Sequence, residues 1–483
     1  MHNVAMKIGG RDAGSADGRT YDKKNPFTGE IVARVPDAGP LDAVAAVGAA
    51  AAAFKEWSKT PMSKRREILW KAADLLAARA PEVAKIMTAE TGGTFGWGMF
   101  NTFFAASILR EAAASVSQIT GEVIPSDHPG KIAMAVRQPV GVVLGIAPWN
   151  APMILGVRSV AMPLACGNTV VMKASEETPG THRIIGEVLE QAGLPAGAIN
   201  ILTTSREGAG AAVDAMIADP RVKRINFTGS THVGKIIAQS AARFLKPVLL
   251  ELGGKAPQVV LDDANLDDAA AAANFGAFMH QGQICMSTER LIVQKPVMDE
   301  FSRKLVAKAE GLKVGDPANP ETQIGCLVSD RSVKRVHDLV KDAVDRGARV
   351  LTGGEPNGML FPPTVIDRVT PEMRIYREES FGPVVIVVPA TDDEEAIRLA
   401  NDTEFGLSAS VFSGNVDRAY AVASRIESGI CHINSATVSD EPQMPFGGVK
   451  DSGYGRFGGR AGINEFTELR WMTIQTGHAH YPI

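Results

Sequence analysis

Apolar and polar positions repeat along this chain with two periods, and the changes from one to the other mark its organisation. Over residues 41–79, Val47, Phe54, Trp57, Ile68, Leu69, Ala72 and Leu75 recur at helical spacing, and Pro61 separates two amphipathic segments. The helical pattern returns over 99–117. Pro125 and Pro129 then introduce residues 131–140, whose β-branched and Met content with partial alternation predicts an extended strand outside the main sheet.

From residue 141 onward, short apolar runs at 142–146, 169–172, 198–202, 222–227 and 248–252 alternate with helical stretches. That is the βαβ rhythm of a parallel sheet. A second alternation predicts helices near 266–281, 297–311 and 332–347 and strands at 291–293, 384–388 and 409–412. Two α/β domains follow. The tail at 468–475 is strand-like after the Gly-rich segment 447–462, and as a second isolated strand it is expected to pair with 131–140 and extend a sheet between subunits.

With 483 residues the chain is too long for one ordinary core, and 45% hydrophobic with 22% charged residues is the balance of a globular protein. A net charge of −4 without a basic run disfavours nucleic acid as a partner. No apolar run reaches the ~18–20 residues of a membrane helix. The first residues lack the apolar core of an export signal, so a cytoplasmic protein is expected. Cys166, Cys285, Cys326 and Cys431 have no Cys-x-x-Cys spacing, which predicts reduced thiols and no metal site.

Four segments carry candidate chemistry. The one Gly-x-Gly-x-x-Gly, Gly453, Gly455 and Gly458, follows no apolar strand and reads as a packed turn. Residues 225–231 are the better phosphate site, because a strand runs into Gly229 and then a helix-capping Ser230 or Thr231, where free amides and the helix dipole favour an anion. Glu251 ends a buried strand beside Gly253 and Gly254, at the strand end where ligands collect in parallel sheets. Cys166, Cys326 and Cys431 sit among small or apolar neighbours and read as core, whereas Cys285 lies in a polar, Gly-containing loop open to a substrate. Asn150, after Pro148 and Trp149, either donates to an oxyanion or caps the helix starting near Met153.

Taken in order, Pro148-Trp149-Asn150, Lys173-Ala174-Ser175-Glu176, Phe227-Thr228-Gly229-Ser230-Thr231, Glu251-Leu252-Gly253-Gly254-Lys255, Gly282-Gln283-Ile284-Cys285, Glu379-Ser380-Phe381-Gly382-Pro383 and Pro445-Phe446-Gly447-Gly448 resemble the aldehyde dehydrogenase superfamily over nearly the whole chain. The resemblance implies an α/β protein with a Rossmann-like NAD-binding domain over 1–118 and 140–252. It also implies an α/β catalytic domain over 253–464 and a β-strand oligomerisation extension over 119–139 and 465–483, making a homodimer or homotetramer.

Roles are implied in the same way. Cys285 would be the nucleophile, Asn150 with the Cys285 amide the oxyanion hole, and Glu251 the base that activates the deacylating water. Ile146, Ala147, Pro148, Trp149, Lys173, Glu176, Gly210, Phe227, Gly229, Ser230, Leu252, Glu379 and Phe381 would hold the cofactor. Glu176 favours NAD, since its carboxylate accepts from free ribose hydroxyls and repels a 2′-phosphate, although Lys173 softens this. The presence of Glu251 favours hydrolysis to the free acid over transfer to coenzyme A.

Residues 282–290 are similar to the subgroup acting on aromatic aldehydes, the salicylaldehyde, benzaldehyde and vanillin dehydrogenases. Arg158, Trp97, Ile284 and Met286 are then the candidates for the substrate pocket, with Arg158 either meeting a ring hydroxyl or serving as an ordinary ion-paired residue. A broad or aliphatic aldehyde specificity, a catalytically silent binding protein of the same fold, and an unrelated hydrolase pairing Cys285 with His280 are the alternatives.

Overall fold

The computed structural model describes residues 2–479 and 481–483. Two large sheets dominate it. In the first, the strands run in the order Gly453–Tyr454, Val248–Glu251, Val222–Thr228, Val142–Ile146, Thr169–Lys173, Ile199–Leu202, Met6–Ile8 and Arg11–Ala13. The five central strands are parallel, and antiparallel strands close both flanks.

From Val142–Ile146 the chain adds its next two strands on one side, then returns to place Val222–Thr228 on the other. Strand order therefore reverses between these two strands. In open α/β sheets the crevice beyond the carboxyl ends at such a point is where ligands bind. Residues 147–150 and 229–230 leave the sheet there.

The second sheet follows the order Arg349–Thr352, Thr364–Asp367, Val384–Ala390, Thr288–Gln294, Ala256–Val260, Ser408–Phe412 and Ile430–Ile433, parallel except for the first pair. Its inner strands are buried on both faces, as their unbroken apolar runs require. Cys431 departs from the core placement expected of it, because it lies on the edge strand and is exposed.

Glu122–Ile124, Lys131–Pro139 and Thr467–Gln475 form a separate antiparallel sheet. The tail strand pairs with Lys131–Pro139 over nine residues, from Thr467 opposite Pro139 to Gln475 opposite Lys131. Leu469, Trp471 and Ile474 on it are exposed, Trp471 by 78%.

The helical pattern of 41–79 resolves into Pro40–Trp57 and Met62–Ala78, broken at Pro61. The helix expected to reach 281 stops at Phe278, and His280 and Gln281 turn to positive φ, 48° and 56°. Non-glycine residues rarely adopt that region, and it tends to concentrate at functional sites. Gly282 continues the turn at φ 66°, where a Cβ would overlap the Gly382 carbonyl oxygen. This bend delivers the Cys285 loop.

The Gly453 segment is a packed turn. Gly453 pairs with Glu251 at the sheet edge, and a Cβ on it would overlap the Leu250 carbonyl oxygen. The short N-terminal strands escaped the periodicity because they are polar edge strands, such as Thr20–Lys24 and Arg11–Ala13, with little apolar alternation to read.

Candidate active site and dinucleotide cleft

One cavity of about 560 Å³ opens at the reversal point of the first sheet. Its walls include Ile146, Ala147, Pro148, Trp149 and Asn150 from one strand end and Phe227, Gly229 and Ser230 from the other. Lys173, Glu176 and Gly210 line one end of it, and Leu252, Glu379 and Phe381 line the side toward Cys285 and Glu251, which also reach it. All the residues singled out for the cofactor and for catalysis thus share one cavity.

Asn150 is not a helix cap. Helix Pro152–Ala165 is capped at Ala151 without a side-chain bond, and the Asn150 amide donates instead to the Gln283 carbonyl at 3.0 Å. A side-chain amide has two N–H donors, so one remains beside the Cys285 loop. The Asn150 carbonyl accepts from Trp97 Nε1 at 3.1 Å. The Cys285 amide has no acceptor among the described residues.

Two glycines after Glu251 let the Cys285 loop and Glu379 pack closely against this turn. A Cβ on Gly254 would overlap the Cys285 carbonyl oxygen, and one on Gly253 would crowd the Glu379 carboxylate. The Gly254 amide donates to Glu379 Oε1 at 2.8 Å. Behind them, fully buried Lys255 meets Glu289 at 2.5 Å, and Glu289 also accepts from the amides of Ser380 and Phe381. Phe381, at φ 50°, is held edge-on to Trp149 with ring centres 5.7 Å apart.

The electrostatics are dominated by burial. Burial pushes Glu251 up to about 8, with Glu379 and Asp440 adding to the rise while the facing Cys285 thiol and Arg158 oppose it. Apart from the facing Cys285 thiol, the Glu251 carboxylate has no hydrogen-bond donor among the described residues, so it is open to a proton donor. Burial and the neighbouring Glu251 and Glu379 carboxylates raise the Cys285 thiol well above its ordinary range. Glu379 rises to about 7 by burial and by Glu289. Nearby charge thus favours a thiol that loses its proton only to a base beside it.

His280 is not that base. Burial holds its imidazole at about 3, its ring stacks on Trp97 with centres 4.7 Å apart, and neither nitrogen forms a hydrogen bond. A hydrolase built on a Cys285 and His280 pair is therefore not supported.

At the far end of the cavity Glu176 lies between Lys173, at 3.4 Å, and Arg206, at 3.6 Å. Burial works to raise its pKa, but the two cations and a backbone amide overcome this and lower it. Ser230 caps helix Thr231–Ala242, accepting from the Val233 amide, and the space beside Gly210 is open. A helix N-terminus, glycines without side chains in the way and a carboxylate suited to ribose hydroxyls fit a dinucleotide.

The four pocket candidates do not line this cavity. Arg158 is paired with Asp440, Trp97 is spent on Asn150 and His280, and Ile284 and Met286 are buried on either side of Cys285 in the larger apolar core. Arg206 and the buried Lys255 and Glu289 pair went unassigned in the sequence. Arg206 follows strand Ile199–Leu202 and was reachable by the strand-end rule, whereas nothing local marks Lys255 and Glu289 as partners across 34 residues.

Residues 13–472 match the model of the aldehyde dehydrogenase family, and the chain belongs to that family. It is 57% identical to a vanillin dehydrogenase of Pseudomonas sp. strain HR199 over 483 residues, the whole of both chains. A salicylaldehyde dehydrogenase of Pseudomonas sp. strain C18 is 47% identical over 469 residues, 97% of each chain. The crystal structure of a salicylaldehyde dehydrogenase from Pseudomonas putida G7 complexed with salicylaldehyde superposes with a TM-score of 0.99 at 46% identity, covering all of both chains.

The buried clamp behind the site is testable. Lys255→Met strands Glu289 without its cation, and urea unfolding should show a loss of about 3–5 kcal/mol. A loss below about 1 kcal/mol would mean that the pair does not hold the 379–381 segment.

Proposed function

We propose that this protein oxidises aromatic aldehydes of the benzaldehyde, salicylaldehyde or vanillin type to the carboxylic acid with NAD. The observation that carries the reading is the single cavity in which Cys285, Glu251 and Asn150 meet a cleft suited to a dinucleotide. The relatives' names supply the aromatic class.

The Cys285 thiol gives its proton to the facing Glu251 carboxylate and the sulfur adds to the aldehyde carbon. The oxygen of the tetrahedral thiohemiacetal takes up negative charge, and the free Asn150 N–H and the Cys285 amide are the donors at hand for it. When bound, the nicotinamide supplies a positive charge and accepts the hydride. Once the hydride has left, Glu251 releases that proton to solvent and, as a carboxylate again, takes a proton from the water that attacks the Cys285 thioester. The sulfur leaves the acyl carbon and takes this proton back as the acid is released.

Glu176 favours NAD. Its carboxylate accepts from ribose hydroxyls and stands where a 2′-phosphate would bring like charge, with Lys173 and Arg206 already occupied by it. The antiparallel sheet of 122–139 and 467–475, with its exposed apolar side chains, serves assembly into a homodimer or homotetramer. Four free thiols suit a reducing, cytoplasmic setting.

A panel of benzaldehyde, salicylaldehyde, vanillin and an aliphatic aldehyde, each with NAD and NADP, should give the highest kcat/KM for an aromatic aldehyde with NAD and the acid as product. A better aliphatic substrate, or a higher value with NADP, would overturn the corresponding part. Glu251→Gln should give a slowed single burst of reduced cofactor, because the thiol loses its base, and then stall, because the deacylating water loses it too. Since the active base is the carboxylate, wild-type turnover should fall as pH drops through about 8, and unimpaired steady-state turnover of the variant would remove Glu251 from this role. Deleting residues 467–483 should lower the oligomer mass seen by light scattering, whereas an unchanged mass would leave the extension without its assigned part.

A further inference from the structure

Arg158 is the residue that sequence suggested for meeting a ring hydroxyl, yet its guanidinium is already engaged. It is 6% exposed on helix Pro152–Ala165, donates to Asp440 Oδ2 at 2.5 Å and lies 4.4 Å from the centre of the Phe446 ring. Asp440 is the less expected partner. Its other carboxylate oxygen, Oδ1, is buried without a hydrogen-bond donor. An acceptor withdrawn from water and left bare is costly unless something donates to it.

The segment that carries Asp440 is tied to the cysteine loop. Three residues earlier, Thr437 Oγ1 donates to the Met286 carbonyl at 2.7 Å and meets Thr288 Oγ1 at 2.8 Å. Phe446 belongs to the same apolar cluster as Ile284 and Met286, which flank Cys285. None of Arg158, Asp440 and Phe446 lines the dinucleotide cavity, although Cys285 does. The charge of Arg158 nevertheless acts on both Cys285 and Glu251, and that of Asp440 on Glu251. The ion pair therefore lies close enough to act on Cys285 and Glu251 while staying outside the lining of the cofactor cleft.

The geometry points to Asp440 as a specificity-determining residue whose free Oδ1 accepts the hydrogen bond of a phenolic hydroxyl on the aldehyde, while Arg158 fixes the orientation of the carboxylate. This rests on the aromatic-aldehyde reading given above. The phenol oxygen can at the same time accept from a guanidinium N–H not spent on Asp440. A benzaldehyde whose hydroxyl is methylated offers no proton and leaves Oδ1 bare, which is the condition under which a polar site discriminates strongly. A phenolate has no proton to give and meets a carboxylate of its own sign. Asp440 thus selects the neutral phenol.

The test compares 2-, 3- and 4-hydroxybenzaldehyde with their methyl ethers and with benzaldehyde. In the wild type the best hydroxylated substrate should exceed its methyl ether in kcat/KM by about tenfold to hundredfold, the range of a hydrogen bond to a charged group. That ratio should shrink as pH rises through the substrate's own phenol pKa. The paired replacement Arg158→Met with Asp440→Leu strands no charge and should lower the ratio about tenfold or more. Asp440→Asn, which keeps a neutral acceptor and carries the test if the paired variant does not fold, should retain part of it. A ratio unmoved in the folded variants would overturn the assignment, as would a preference that grows on ionisation, which would give recognition to Arg158. A wild type that oxidises an aliphatic aldehyde better than benzaldehyde would instead strike the aromatic reading, whatever the Asp440 variants do.

Discussion

The buried ion pair of Lys255 and Glu289 is the contact on which the site's geometry hangs. Two fully withdrawn charges are tolerated only when each is satisfied, and Glu289 meets that condition by accepting from Lys255 and from the amides of Ser380 and Phe381. The amides it gathers belong to the segment that carries Glu379 and Phe381, and Lys255 directly follows the glycines beside Cys285. One carboxylate thus fixes the residues on the cofactor side and the turn on the sulfur side. Its position on strand Thr288–Gln294, the strand that leaves the cysteine loop, makes that loop the third element held.

The Cys285 loop sits at a seam between two sheets, and the seam closes through backbone more than through side chains. Gly254 lets the end of the first sheet touch the Cys285 carbonyl, Gly282 lets the cysteine loop pass Gly382, and Asn150 reaches from the first sheet to the Gln283 carbonyl. Side chains at these glycines would hold the sheets apart. Displacements of about 1 Å at a reacting centre can cost a hundredfold in rate, so such contacts matter to chemistry as much as to stability.

The parallel strands and the glycines were legible in the sequence because burial on two faces writes continuous apolar runs and because close approach demands glycine at one position. Cys285, Glu251 and Asn150 stood out through motifs in order. Arg158 marks the limit of that legibility. Its neighbours in sequence say that it is buried on a helix, but whether its charge is free depends on Asp440, 282 residues away. The bend at His280 and Gln281 was equally hidden, since local pattern continues the helix and the turn is imposed by packing against Trp97 and Gly382. Polar edge strands near the N-terminus carry almost no periodic signal at all.

Charge balance sets the protonation of the groups around Cys285. Glu251 and Glu379 are both raised toward neutrality by burial, and their residual negative charge favours the Cys285 thiol, with Arg158 acting against them at the sulfur. A thiol is a poor nucleophile and a poor target for oxidation, so burial and the neighbouring carboxylates protect the sulfur until a base takes its proton. Asp440 sharpens the balance, because by engaging Arg158 it withholds much of that cation from the sulfur. The pair proposed to meet the phenolic hydroxyl is for this reason also part of the field around the Cys285 thiol, so that selectivity and the thiol's acidity would be coupled through one guanidinium.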